Sequence, residues 1–359
     1  MSRPPFCIAQ EPGRSLDVQI INPLSFPGWD DQILKFEEAS IFHSSSWARL
    51  LSDSYRFKPR YVISHDKGEL RAVIPMMEVR NLQGEKKGVS LPFSDYCFPL
   101  FTDEAAFERA FDFALDSARI NKWKSLTLCG NAPFRKEIPP STFYYRHVLR
   151  LGTDEKKQFG LFRENTKRNI TKAIKENINV SFETSWEAVN EFYRLNCLTR
   201  KRHGLPPQPI LFFKNLHKSV ITQGKGSVAI GRLQGRPITA SVFLHYGNKV
   251  FYKYGASNEQ FNDTRGNYLV MWEAIRRYGD QGFETLCLGK TEVQHKGLLQ
   301  YKTGWRAEQL IINNYSYDMR QGAFVVLNPR ISGIFHNIFR RLPIPILRMI
   351  GSLSYKYMG

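Results

Sequence analysis

Residues 267–289 read NYLVMWEAIRRYGDQGFETLCLG, and residues 107–130 read FERAFDFALDSARINKWKSLTLCG. Each begins with an apolar repeat at helical spacing, passes a short turn, and closes on a buried-strand run ending in Leu, Cys and Gly. Upstream of each lies a matching hairpin arm, GELRAVIPMM at 68–77 and GRPITASVFLHY at 235–246. A glycine turn followed by a strand is the second arm of a β-hairpin. Two similar pieces in the same order predict a duplicated unit of strands, helix and strand. The fold class expected is α/β (α+β), with mixed sheets flanked by helices.

Working outward, the expected divisions are an N-terminal segment (1–15), a first unit (16–150), a second unit (151–322) carrying the site, and a basic tail (323–359). ENTKRNITKAIKEN (164–177) predicts a basic helix opening the second unit. NEFYRLNCLTRKRHG (190–204) predicts another, stopped by Gly204 and the prolines at 206 and 207. SVAIGRLQ, ITASVFLHY and KVFYKYGAS predict three consecutive antiparallel strands, followed by helix 267–278 and strand 283–288.

The chain has 359 residues, 42% hydrophobic, enough for two domains. A net charge of +18 favours polyanionic partners such as nucleic acid, anionic lipid or phosphorylated substrates. Five scattered cysteines without a CxxC pair argue against a disulfide framework or zinc site and for reduced thiols in a cytosolic setting. The N-terminus has no apolar run of signal-peptide type, and no stretch reaches the length of a spanning helix. No Gly-x-Ser-x-Gly elbow, HExxH or complete Walker loop occurs. No metal and no bound cofactor are expected; His245 and His295 have no partner at ligand spacing.

Candidate chemistry gathers in the second unit. In GLLQYKTGWRAE (297–308), Lys302 stands alone in an aromatic and aliphatic stretch, between Tyr301 and a Thr-Gly turn. It reads either as a surface charge on an edge strand or as a cation aimed into a pocket. Between strand 249–256 and helix 267–278, Arg265 and Gly266 occupy the place of a phosphate-binding loop at a helix N-terminus. Strand alternation would set Tyr252 and Tyr254 on one face and Lys253 on the other. Arg200, Lys201, Arg202 and His203 crowd a helix C-terminus, where cations complement the dipole and arginine can also fork onto phosphate. Arg168, Lys172 and Lys175 form a basic face, solvated or a track for tRNA phosphates. Residues 328–359 hold no acidic residue. Their Ile334, Phe335, Ile338 and Phe339 at helical spacing beside arginines suit either a peripheral membrane contact through 330–359 or a helix packed on the protein itself.

SSSWARLL, PFSDY, TKRNITKAIKENINV, KRHG, FYKYGAS, LCLG and GLLQYKTGW, in that order, resemble the Fem (FemAB-like, BioF2-like) aminoacyl- and acyltransferases, which are built of two tandem GNAT-like domains. The resemblance covers most of residues 40–320. It implies an N-acyltransferase or aminoacyltransferase that acts on an amine of a peptidoglycan, exopolysaccharide or other cell-envelope precursor. The donor it implies is acyl-CoA or aminoacyl-tRNA, and the setting is cytoplasmic, at the inner membrane face. By matched position, Arg202 would bind substrate phosphate. Tyr254, with Tyr252, would line the acceptor site, joined by Asp95 and Tyr96 of PFSDY. Lys302 would point into the pocket beside Tyr301 and stabilise the oxyanion. Glu292 stands where a base could sit, and Arg265 and Gly266 would take the donor's phosphates. Leu51 replaces a lysine of the family, which puts a UDP-linked peptidoglycan acceptor in question. The long helical arm that some members use for tRNA is not evident between 151 and 230. The alternative is a noncatalytic basic protein that binds RNA or membrane on a degenerate GNAT scaffold.

Overall fold

The structure, a computed structural model, describes residues 17–130, 138–327 and 333–358. Segment 1–15 with Cys7, the residue Arg330 and the side chains of Ile334 and Phe335 lie outside the described residues.

One long sheet runs through both halves of the chain. Its strand order is Asn179–Glu183, Gly226–Leu233, Arg236–Tyr246, Lys249–Ser257, Thr285–Thr291, Thr142–Arg150, Glu308–Asp318, Ser125–Cys129, Lys86–Val89, Met77–Arg80 and Lys58–Pro59, with Ala323–Val325 paired onto Glu308–Asp318. A separate four-stranded sheet is formed by Asp17–Ile21, Tyr61–Asp66, Glu69–Ile74 and Leu100–Phe101. The three consecutive strands of the second half are antiparallel, as their sequence predicts.

The hairpins turn where the glycines allow. Lys67–Gly68 and Gln234–Gly235 both carry positive φ at two successive residues, 51° and 83° in the first and 49° and 78° in the second. That geometry matches the twist of antiparallel strands and needs glycine at its second position. The same device at corresponding places in both halves agrees with the repeat in the sequence.

Helix Glu104–Ile120 starts at Asp103, whose carboxylate accepts from the Ala106 N–H, and lays Phe107, Ala110, Phe111, Ala114 and Ala118 on the small sheet. Its counterpart, helix Gly266–Asp280, buries Leu269, Val270, Ala274, Ile275 and Tyr278 against the second half's strands. The largest apolar cluster belongs to neither half. It joins Phe42, Trp47 and Leu50 to Phe192, Phe212, Phe213 and Phe251. Strand Thr142–Arg150, the last of residues 16–150, lies between two strands of the second half, Thr285–Thr291 and Glu308–Asp318. The halves therefore share both a sheet and a core.

Candidate active site

The parallel strands Lys249–Ser257 and Thr285–Thr291 pair only at Lys249–Thr285, Val250–Leu286 and Phe251–Cys287. Beyond those residues they part. Thr285–Thr291 shifts register between Cys287 and Lys290 and continues against Arg146 and Tyr145. On the other side, Arg236–Tyr246 shifts register between Val242 and Phe243, which face Tyr254 and Tyr252, and Lys253 is the extra residue. Two bulges thus flank one opening, and bulges re-aim side chains and end pairing beside functional sites. The inner edges of a split pair offer backbone N–H and C=O groups to a ligand.

The bulge corrects the expected alternation of FYKYGAS. Tyr254 packs with Phe192, Phe212 and Phe213, and Tyr252 with Phe243 on the opposite side of the sheet. One added residue inverts every later side chain of a strand. Gly255 is required here, because a Cβ would overlap the Tyr252 hydroxyl.

Lys302 belongs to helix Lys296–Gly304, not to an edge strand. The following Trp305 anchors that helix among Phe162, Tyr268 and Tyr301. Gly304 brings the helix end close to Thr166, whose Oγ1 would lie 2.5 Å from an added Cβ. The Lys302 side chain points inward and is 2% exposed. Its Nζ donates to Gly289 O at 2.8 Å and to Lys290 O at 3.2 Å, both on the diverging strand. An ammonium has three N–H donors, so one remains. Burial lowers its pKa from 10.5 to about 8, against the pull of Asp95.

Asp95 enters from the first half. A Cβ on Gly289 would lie 3.5 Å from its carboxylate, and its Oδ1 accepts from Lys253 Nζ at 3.2 Å. Lys253 is surrounded by the rings of Trp47, Phe42 and Tyr254, its nitrogen 5.1–5.7 Å from their centroids. Burial lowers its pKa, and Asp95 opposes that shift. Two buried lysines therefore draw on one carboxylate. Asp95 Oδ2, Tyr254 OH and Trp47 Nε1 are buried with no hydrogen bond; the Tyr254 hydroxyl lies beside Gln208 but outside hydrogen-bond geometry. Unpaired buried polar atoms are costly in a finished core and expected in a site built for a polar ligand.

The other expected site residues are spread around this cluster. Tyr301 faces the second half's core, edge-on to Tyr268. Tyr96 is buried, with the Arg146 guanidinium 4.9 Å over its ring. It lines a cleft of about 860 Å³ together with Phe251 and Cys287, the last paired residues of the split strands. Glu292 is exposed at the far end of the diverging strand, 3.6 Å from His295. Arg202 ends helix Trp186–Arg202, half-buried, and its carbonyl accepts from Arg340 Nε at 3.1 Å. Among the described interactions none joins its side chain to the Lys302 cluster. Arg265, at φ 60°, leads into the N-terminus of helix Gly266–Asp280. Gly266 permits tight packing there, since a Cβ would press on Ile178, Thr239 and Ile238.

Sequence reasoning missed Lys253 as a site residue, and Phe42, Trp47 and His147 with it. His147 is buried opposite the Leu288–Gly289 irregularity, donates from Nε2 to Gln309 Oε1 at 3.2 Å, and leaves Nδ1 unpartnered. Burial, then Lys302, push its pKa down to about 4, so it is neutral at pH 7. A glycine inside the strand, Gly255, two residues after Lys253, was the available signal for the bulge.

Residues 161–303 match the family model described as Acetyltransferase (GNAT) domain. No curated protein sequence matches the chain. The structure is similar to that of FemX (TM-score 0.67, 13% identity, 85% of this chain and 98% of that one). It is also similar to L-PGS from Bacillus licheniformis (0.53, 10%, 88% and 96%) and to a tandem GNAT protein from the clavulanic acid biosynthesis pathway (0.52, 8%, 88% and 100%). The split strands lie within residues 161–303, the stretch that matches the GNAT domain. More particularly, the fold is one of tandem GNAT-like units, similar to those of FemX and of the tandem GNAT protein.

Proposed function

We propose that the protein is an N-acyl- or aminoacyltransferase whose acceptor is an amine of a cell-envelope or exopolysaccharide precursor. The observation that carries this reading is the inward Lys302 ammonium, fixed by two carbonyls of the diverging strand with one N–H to spare. The acceptor nitrogen attacks the donor's carbonyl carbon, and the carbonyl oxygen gains negative charge. Lys302 donates to that oxygen. The C–S or C–O bond then breaks, and the leaving group departs with the bonding pair. The amine proton passes to water or to Glu292, a carboxylate open to solvent. Two buried lysines against one carboxylate leave a surplus of positive charge, which a developing oxyanion offsets.

A GNAT fold makes an acyl-CoA the first choice of donor, its phosphates at the Gly266 helix N-terminus beside Arg265; an aminoacyl-tRNA is the second. Tyr254, Asp95 and Tyr96 would face the acceptor, with Arg202 on its phosphate. The neighbour described as the C-terminal domain of a putative lysylphosphatidylglycerol synthetase supports an aminoacyl acceptor in the envelope. Thermal-shift measurements with acyl-CoAs, aminoacyl-tRNA and amine-bearing UDP-sugars test this. A donor at about 100 times its Kd should stabilise the chain by about 2.7 kcal/mol. Response to RNA or vesicles alone would favour the noncatalytic reading instead.

A further inference from the structure

Helix Ile344–Ser354 has two apolar faces, and only one is covered. On the inner face Leu347 is buried, and Gly351 sits so close that a Cβ would lie 2.0 Å from Pro207 O. Tyr355, just beyond the helix, is also buried. Its hydroxyl donates to Pro206 O at 3.2 Å and accepts from Arg200 Nη2 at 2.9 Å. At the edge, the Arg348 guanidinium lies 5.3 Å over the Tyr193 ring. These contacts lock the helix onto helix Trp186–Arg202.

The outer face is the unusual one. Ile346, Met349 and Leu353 follow one another at i, i+3 and i+7 and are 40%, 58% and 61% exposed. Met358 and, on the preceding helix Gly333–Arg341, Ile338 are also exposed apolar residues of this segment. A surface helix ordinarily turns polar residues outward. Arg340, Arg341 and Lys356 are exposed on the same segment. No acidic residue occurs from 319 to 359.

We propose that this outer face docks on an anionic lipid bilayer. At 11 residues the helix is far too short to span one. An apolar stripe on a helix flanked by cations, Arg340 and Arg341 before it and Lys356 after it, with no anions in the segment, is suited to lying in the interfacial plane, its flanking cations on lipid phosphates. Of the stripe expected from the sequence, Ile338 is exposed, and among the described residues Ile346, Met349 and Leu353 add a second exposed apolar stripe one helix further on. Because the inner face is already anchored, the outer face is presented rigidly. Its anchor Tyr355 lies 5.7 Å, ring to ring, from Phe93, two residues before Asp95. On the transferase reading, this sets the bilayer beside the site and makes the acceptor a membrane-held one. The docking itself does not depend on that reading.

The test is co-sedimentation of the full chain with vesicles of phosphatidylcholine, alone or mixed with phosphatidylglycerol. Binding to the mixed vesicles is expected, and it should weaken with added salt. The triple variant Ile346→Ser, Met349→Ser, Leu353→Ser should bind about tenfold more weakly or worse with unchanged thermal melting. Arg341→Glu with Lys356→Glu should cost roughly fivefold per charge on the mixed vesicles only. No sedimentation, or equal binding by the apolar triple variant, overturns the proposal. So does a concentration-dependent dimer abolished by that variant in a chain that ignores vesicles, which would assign the face to a second copy. Failure here would leave stabilisation by an acyl donor untouched, so the two readings fall separately.

Discussion

Lys302→Met should lower turnover by about 10²–10³-fold, the usual effect of losing one donor to an oxyanion, while the chain stays folded. Methionine keeps the length and apolar character of the lysine stem and removes only the ammonium. The loss should appear in kcat rather than KM, because the interaction forms as charge develops on the carbonyl oxygen. Stability should change little, since two effects oppose each other. Gly289 O and Lys290 O lose a donor, and a buried charge disfavoured by its surroundings is removed. Single-turnover transfer, with a melting curve of the same variant, checks both halves of the expectation. Near-wild-type turnover by a folded variant would end the catalytic assignment.

The largest stability effect is expected at Asp95. Asp95→Asn leaves Lys253 buried among Trp47, Phe42 and Tyr254 with no counter-charge. Breaking one partner of a buried ion pair typically costs about 3–5 kcal/mol. Lys253→Met on top of Asp95→Asn should recover much of that loss, since an apolar residue suits the aromatic surroundings. Denaturant unfolding of the two single variants and the double variant gives the coupling directly. A loss under about 1 kcal/mol for Asp95→Asn, with additive effects in the cycle, would show that the pair does not hold the two halves of the site together.

How much of this was legible in the sequence depended on whether the information was local. Helix periodicity, caps and glycine turns are local, so the helix–strand repeat and the three antiparallel strands could be read directly. Lys302 was legible because a lone lysine in an apolar stretch is conspicuous, although its helix was not. The strand exchange was hidden: Thr142–Arg150 reads as a strand, but its partners lie more than a hundred residues later, and nothing in TFYYRHVLR names them. Lys253 was hidden because a bulge at one residue defeats period-two reasoning. The aromatic residues around it come from residues 42 and 47, a distance no short motif spans. In the tail, composition pointed to an apolar and basic surface, but which helix face is covered is a matter of tertiary packing against Pro206, Pro207 and Tyr193.

The ionisation of Lys302 offers the sharpest probe. Its folded-state pKa of about 8 lies below the ordinary 10.5. Between those values the unfolded chain binds the extra proton, so this group's contribution to stability rises with pH across that window. Activity should do the reverse, because the oxyanion needs the charged form. The decisive measurement is kcat against pH from 7 to 10 for the wild type and for Lys302→Met. Wild-type kcat should fall as pH rises through about 8, and the residual rate of the variant should show no such fall. A wild-type profile flat or rising through that range, or the same fall in the variant, would contradict the role given to this ammonium.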